Sequence, residues 1–129
     1  MDLEKLVQMA RSSLANAYAP YSGYPVAAAL ITVSGEVFTG VNVENASLGL
    51  TICAERVAVA AAIAAGHRAF SHIAVVTGGQ YPPLPCGACR QVLYEFAPSL
   101  QVLVSSREGE IRSYALEELL PCSFNLPEK

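Results

Sequence analysis

Thr51-Ile52-Cys53-Ala54-Glu55-Arg56 and Pro85-Cys86-Gly87-Ala88-Cys89 are the two stretches that decide the fold of this chain. Each opens a segment that the sequence predicts to be a helix, and together they supply three cysteines and one glutamate. The positive end of a helix dipole stabilises a thiolate. Three thiolate ligands leave one position of a tetrahedral zinc ion open, and zinc activates water at such a position. The two stretches therefore predict a zinc site between paired helices.

The spacing within each stretch predicts which residues bind the metal and which do not. Pro85 suits the entry to a helix, and a Cys-x-x-Cys pair at that entry places the sulfurs of Cys86 and Cys89 on one turn. Cys53 opens the other helix and supplies the third sulfur. Glu55 turns away from the direction of that ligand but stays within the same turn. Its carboxylate is therefore predicted to reach the water without binding the metal.

Apolar and turn residues on either side predict an alternation of helices and strands. An amphipathic helix with apolar residues from Leu3 to Ala17 begins behind Asp2, and Pro20 and Gly23 end it. The other predicted elements are a hairpin of strands 26–32 and 36–42, helices at 51–65, 86–96 and 115–120, and strands at 73–77, 101–105 and 110–114. This order predicts one α/β domain over residues 1–129, a three-layer α/β/α sandwich with five strands.

Longer strings extend the motif over nearly the whole chain. They are Asn42-Val43-Glu44-Asn45-Ala46-Ser47, Thr51 to Ala58, Pro85 to Val92, Tyr21 to Val26 and Leu119 to Phe124. Taken in the order in which they occur along the chain, they resemble the small, homotetrameric, three-cysteine branch of the cytidine and deoxycytidylate deaminase family. The resemblance implies a mixed sheet with both metal-bearing helices on one face and the last two strands antiparallel. It also implies Zn²⁺ as cofactor and the deamination of cytidine and 2′-deoxycytidine to uridine and 2′-deoxyuridine, with release of ammonia, in pyrimidine salvage.

The resemblance assigns the catalytic and metal-binding roles. Cys53, Cys86 and Cys89 would bind zinc. Glu55 would accept a proton from the attacking water, deliver it to N3 of cytosine and help the C4 amine leave. The charge of the site, rather than the resemblance, predicts the role of Arg56. Three thiolates exceed the charge of one Zn²⁺, so Arg56 would donate hydrogen bonds to the ligand sulfurs and offset the excess.

The substrate-binding residues that the resemblance implies are Tyr24, Asn42, Glu44, Ala54 and Phe124. Asn42 and Glu44 align with residues that hydrogen-bond the ribose 3′-hydroxyl. A carboxylate there would repel a phosphate, which favours nucleosides over nucleotides. Tyr24 and Phe124 supply aromatic rings against the pyrimidine. Because Phe124 would reach in from a neighbouring subunit, the resemblance implies a homotetramer with shared active sites.

Taken singly, several residues allow plainer interpretations. A glutamate such as Glu55 and an arginine such as Arg56 are usually exposed, and Tyr24 and Phe124 suit a hydrophobic core equally well. Arg90 shares the task of Arg56 or forms an ion pair at an interface. Two disulfides or a thioredoxin-like motif explain the cysteines less well, because the first needs secretion and the second leaves Glu55 unexplained.

The remaining cysteine and the histidines need separate interpretations. Cys122 is predicted to fill apolar space, yet a zinc site closed by all four cysteines would be a structural module for partner binding. Such a module would hold no water and would not need Glu55. His67 and His72 are predicted to lie in loops, away from the cluster.

Composition narrows the choice of partners. Hydrophobic residues make up 53% of the chain, which favours a buried interface between subunits. A net charge of −3 with 8 lysines and arginines predicts no nucleic-acid partner and weighs against RNA editing. No apolar run reaches the ~20 residues of a membrane span, and the N-terminus lacks a basic signal, so a cytoplasmic protein without a membrane partner is expected. A deaminase of another aminopyrimidine nucleoside, or of a nucleoside antibiotic, is the alternative enzyme.

Overall fold

The computed structural model describes residues 2–127 and contains a five-stranded sheet with helices on both faces. The helices are α1 (Leu3–Ser13), α2 (Ala54–Ala64), α3 (Gly87–Phe96) and α4 (Leu116–Leu119). The strands are β1 (Val26–Thr32), β2 (Val37–Val41), β3 (Phe70–Thr77), β4 (Gln101–Ser105) and β5 (Ile111–Ala115). None of these helices is long and apolar enough to cross a membrane. Residues 1, 128 and 129 of the predicted domain lie outside the described residues.

The strands lie in the order β2-β1-β3-β4-β5. β3 and β4 run parallel, because helix α3 carries the chain from the end of one strand back to the start of the next. The other neighbouring pairs are antiparallel, and β1 and β2 form a hairpin in which Gly35 adopts a φ of +95°. The mixed sheet and the antiparallel last pair that the resemblance implied are therefore confirmed.

Alternating side chains along the strands divide the core into two layers. On one face, Leu6, Val7 and Ala10 of α1 pack against alanines and branched side chains of β1, β3 and β4. On the other face, α2, α3 and Leu116 of α4 cover the intervening positions of the same strands. The predicted three-layer sandwich is confirmed, and it places α2 and α3 in contact on one face.

The structure corrects three predicted elements. Helix α2 begins at Ala54 rather than Thr51, because Ile52 exchanges backbone hydrogen bonds with Val43. Helix α1 ends at Ser13 rather than Ala17, and residues 14–16 form a tighter 3₁₀ turn in which Ala17 N–H donates to Leu14 O at 3.1 Å. Strand β3 begins at Phe70, so His72 lies in a strand and its prediction as a loop residue is wrong. His72 pairs with Gln101 of β4, and this long-range pairing overrides the weak strand preference of the segment.

Gly40 of β2 brings helix α2 into backbone contact with the sheet. A Cβ atom at Gly40 would lie 2.5 Å from both Ala54 O and Ala58 N, and 3.0 Å from Val57 Cβ. These atoms belong to the first half of α2, where a shift would move the whole helix. The absence of a side chain at Gly40 therefore allows the sheet and helix α2 to lie this close together.

We expect Gly40→Ala to lower the free energy of unfolding by about 1–3 kcal/mol, as overpacked cores do. Urea unfolding followed by circular dichroism measures the change. Gly49→Ala is the matched control, because a Cβ at Gly49 would meet no atom within 4 Å. Equal stabilities of the two variants would contradict the close approach at Gly40.

Candidate active site

The three predicted ligand sulfurs converge where α2 and α3 begin. Cys53 is the N-cap of α2, Cys86 is the N-cap of α3, and Cys89 lies in the first turn of α3. All three sulfur atoms lie within 4.8 Å of one another, and the Sγ atoms of Cys53 and Cys86 are 3.9 Å apart. A tetrahedral metal with metal–sulfur bonds of about 2.3 Å places its sulfurs roughly 3.8 Å apart. The cluster could therefore hold a metal ion.

Hydrogen bonds around the sulfurs favour negative charge. Cys89 N–H donates to Cys86 Sγ at 3.4 Å, and Arg56 Nη2 lies 3.6 Å from Cys53 Sγ. Hydrogen bonding from Cys89, and then from Arg56, lowers the pKa of Cys53 to about 5 despite its partial burial. The same contact raises the pKa of Cys89, because its thiol is the donor to Cys53. The hydrogen bonds around Cys53 therefore favour the thiolate form of this sulfur.

Arg56 lies against the sulfur cluster rather than on the open surface. Its Nη2 also contacts Thr51 O at 3.4 Å, and its contact with Cys53 raises the pKa of the guanidinium. Its buried Nε has no hydrogen-bond partner among the described residues. The surface interpretation is therefore wrong, and the position agrees with a donor to the ligand sulfurs.

Glu55 is a buried carboxyl in the first turn of α2, with 5% of its surface exposed. Burial raises its pKa to about 7. A group that titrates near neutral pH can accept a proton in one step and release it in the next. The interpretation of Glu55 as an ordinary exposed helix residue is therefore wrong.

A cavity of about 360 Å³ joins Glu55 to the predicted substrate-binding residues. Cys53, Cys86 and Glu55 line it, and so do Tyr24, Asn42, Glu44 and Ala54. Sequence reasoning missed other lining residues, which are Ser22, Val26, Thr51, Pro82, Pro83 and Leu84. The proline-rich stretch directly before Cys86 could have indicated Pro82, Pro83 and Leu84, because prolines restrict the backbone and hold such a loop rigid beside the cluster.

Asn42 fixes the backbone at one side of the cavity. Its Oδ1 accepts from Val26 N–H at 3.0 Å, and its Nδ2 donates to Tyr24 O at 2.9 Å. The side chain is buried. It therefore holds the start of β1 and Tyr24 in place, a structural task beyond its predicted contact with ribose.

Glu44 performs a similar task for the turn that precedes β1. Its carboxylate accepts from Tyr21 N–H at 2.9 Å, from Ser22 N–H at 3.1 Å and from the Ser22 hydroxyl. These hydrogen bonds, that of the Ser22 hydroxyl above all, lower the pKa of Glu44. Glu44 therefore stays ionised where it lines the cavity.

Two residues near the C-terminus lie away from the cavity of their own chain. Phe124 is 66% exposed, so the core interpretation is wrong, and its carbonyl accepts from Gln91 Nε2 at 3.1 Å. Cys122 is also exposed, with a φ of 53°, so it is not an apolar filler. It lies outside the sulfur cluster, and the alternative site of four cysteines is therefore not formed among the described residues.

Arg90 binds main-chain carbonyls instead of a ligand sulfur. Its Nε donates to Pro85 O and its Nη1 donates to Leu119 O, both at 2.7 Å. It thereby connects the loop before Cys86 to the end of α4. The prediction that Arg90 shares with Arg56 the role of donor to the ligand sulfurs is therefore wrong.

Comparisons with known proteins agree with this arrangement. The family model of the cytidine and deoxycytidylate deaminase zinc-binding region matches residues 1–105. The chain is 41% identical to a cytidine deaminase of Sporosarcina psychrophila, over 97% of this chain and 93% of the relative. It is 44% identical to that of Halalkalibacterium halodurans, over 96% and 95%. A crystal structure of cytidine deaminase from Burkholderia pseudomallei superposes with a TM-score of 0.92 at 47% identity, over 96% of this chain and 100% of that chain.

The geometry predicts which cysteines hold metal. We expect Cys53→Ser to lose most of its bound metal, because it removes one of three converging sulfurs. Cys122→Ser is the control and should keep as much metal as the parent protein. Inductively coupled plasma mass spectrometry of the purified variants measures both. Loss of metal from Cys122→Ser, with retention by Cys53→Ser, would overturn the assignment.

Proposed function

This chain belongs to the cytidine and deoxycytidylate deaminase family, and on that basis we propose that it is a zinc-dependent cytidine deaminase. It hydrolyses cytidine and 2′-deoxycytidine to uridine and 2′-deoxyuridine and releases ammonia. The observation that carries this proposal is the buried carboxyl of Glu55 in the same cavity as Cys53 and Cys86. Release of ammonia from cytidine by the purified protein tests it directly.

Zinc is the metal that this donor set fits best. Three sulfurs at tetrahedral spacing supply its first ligands and leave one position free. When bound, zinc supplies a Lewis acid that lowers the pKa of water. Three thiolates carry more negative charge than one Zn²⁺ neutralises, and Arg56 together with the N-termini of α2 and α3 offsets the excess.

Glu55 moves the protons of the reaction. The attacking water gives its first proton to the carboxylate while its oxygen bonds to C4 of cytosine. Glu55 passes this proton to N3, and it transfers the second proton of the water to the C4 amine as the C–N bond breaks. The amine leaves as ammonia and the carboxylate is restored. A pKa raised to about 7 by burial suits a group that both accepts and donates.

Glu44, whose pKa is lowered where that of Glu55 is raised, helps to select the substrate. Because hydrogen bonds from Ser22 and Tyr21 keep this carboxylate ionised, it can accept a hydrogen bond from a ribose hydroxyl and repels a phosphate. Asn42, Tyr24 and Ala54 line the same cavity, and we assign Asn42 to the ribose and the other two to the base. This set favours free pyrimidine nucleosides over nucleotides and nucleic acids.

We extend the proposal to a homotetramer whose active sites are shared. Large apolar side chains are exposed on segments next to cavity-lining residues, namely Tyr18, Tyr21, Val43, Leu48, Leu50 and Ile52. Such exposure is typical of an interface between subunits. Phe124 is exposed as well and would complete the cavity of a neighbouring chain. A cytoplasmic location and a place in pyrimidine salvage remain predictions from the sequence.

Glu55→Gln should keep the fold and the zinc but lose activity by about 10²–10⁴-fold, because the amide retains the shape and cannot accept a proton. Ammonia release from cytidine, circular dichroism and zinc content are measured on the same sample. Loss of zinc would make the variant uninformative about proton transfer, so Glu55→Asp, which keeps a carboxylate, is measured beside it. A loss below about tenfold in Glu55→Gln would assign the proton transfers to another group.

Shared sites predict complementation between two inactive variants. Glu55→Ala chains and Phe124→Ala chains are each expected to be impaired. Mixed tetramers contain some cavities with Glu55 from one chain and Phe124 from another, and these are intact. We therefore expect activity after co-refolding to exceed the average of the two variants. Activity that follows the mixing ratio alone would show that each chain builds its own site.

A further inference from the structure

Hydrogen bonds hold both the backbone and the phenol hydroxyl of Tyr24. Its N–H donates to Ser22 Oγ at 3.0 Å, and its carbonyl accepts from Asn42 Nδ2 at 2.9 Å. Its hydroxyl donates to Tyr81 O at 3.2 Å. The backbone of Tyr24 is thus tied to the turn before β1, while its phenol is tied to the loop that follows β3. The ring between these contacts lines the cavity.

Gly79 lies directly against this ring. A Cβ atom at Gly79 would be 2.8 Å from Tyr24 Cε1 and 3.2 Å from Cδ1, so there is no room for a methyl group. The next nearest atom, Thr77 Oγ1, would be at an ordinary 3.5 Å. The ring of Tyr24 is therefore what excludes a side chain at this position.

The backbone of Gly79 is not free to retreat from the ring. Its N–H donates to Thr77 Oγ1 at 3.1 Å, and its carbonyl accepts from Arg107 N–H at 2.9 Å. Thr77 in turn donates to Pro25 O at 2.7 Å. Of the two groups that would collide, the ring at the end of a side chain is the one that can move.

We propose that Gly79 is a positioning residue for the substrate, because its missing side chain lets the Tyr24 ring lie back against the loop after β3 and keeps the cavity open. A side chain at position 79 displaces the ring away from the loop and toward the cavity that it lines. The space for the base then becomes smaller, while Glu55 and the sulfur cluster lie on other elements and keep their places. This inference rests on the proposed function for the identity of the substrate.

The first test compares alanine at two neighbouring glycines. Gly79→Ala should raise KM for cytidine about tenfold and change kcat less than about twofold, because it alters binding and not proton transfer. Gly78→Ala is the control, since its Cβ would meet only Leu14 Cδ2 at 3.7 Å and Pro25 Cγ at 3.9 Å. Both glycines lie outside the positive-φ region, so alanine suits their backbones. An unchanged KM in Gly79→Ala, or an equal rise in both variants, would overturn the inference.

The second test asks whether the effect acts through Tyr24. In the background of Tyr24→Ala, which has no ring to displace, adding Gly79→Ala should leave KM within about twofold, so the two changes are not additive. A full tenfold rise in that background would show that Gly79 acts by another route. Zinc content and thermal unfolding of each variant identify any loss of folding or metal.

A crystal structure of Gly79→Ala separates this inference from the proposed function. We expect the Tyr24 ring to be displaced toward the cavity and its hydrogen bond to Tyr81 O to be broken. A ring in its parental position overturns the role of Gly79 whether or not the protein deaminates cytidine. Failure of the parent protein to release ammonia from cytidine, with the ring displaced in the variant, would overturn the substrate alone.

Discussion

The convergence of three sulfur atoms on the N-termini of two helices is the interaction on which the rest of the structure depends. Three thiolates within 4.8 Å of one another would repel, and two helix dipoles and the guanidinium of Arg56 are placed to offset this repulsion. The helices can meet there because both lie on one face of the sheet. Gly40 lets α2 lie close enough to the sheet for its first turn to reach that point. The position of the sulfur cluster therefore depends on how closely α2 packs against the sheet.

Two carboxylates in one cavity illustrate how local surroundings divide the chemistry. Glu55 is removed from water, and this burial outweighs the hydrogen bond and the nearby Arg56 that lower its pKa, so the pKa rises to about 7. Glu44 accepts hydrogen bonds from two backbone N–H groups and the Ser22 hydroxyl, so its pKa falls. The first group is suited to carry protons and the second to remain an anion. Opposite shifts of this kind are how one site performs proton transfer and charge-based selection at the same pH.

The sequence predicted what depends on local spacing and missed what depends on distant contacts. The positions of Cys86 and Cys89 within one helical turn follow from their separation alone. The approach of Cys53 depends on the contact between α2 and α3, and it was predicted only from the zinc motif and the family resemblance. The strand order was not predictable, because it depends on which segments pair after the chain has folded. Likewise, nothing beside Gly79 in the sequence indicates that it touches Tyr24. The role of Arg90 stayed open for the same reason, since its acceptors at Pro85 and Leu119 are brought together only by tertiary packing.

The predicted metal ligands and Glu55 lie at the starts of helices, whereas most of the predicted substrate-binding residues lie on connections; Ala54, the first residue of α2, is the exception. Glu55 and the three cysteines lie at the ends of α2 and α3, which the sheet holds rigidly. Tyr24, Glu44 and the segment from Gly79 to Leu84 lie on connections, which tolerate change better than helices do. Hydrogen bonds from Asn42 and the contact of Gly79 with Tyr24 join these connections to each other. Changes in these connections can therefore alter the shape of the cavity while Glu55 and the three sulfurs, which α2 and α3 position, stay in place.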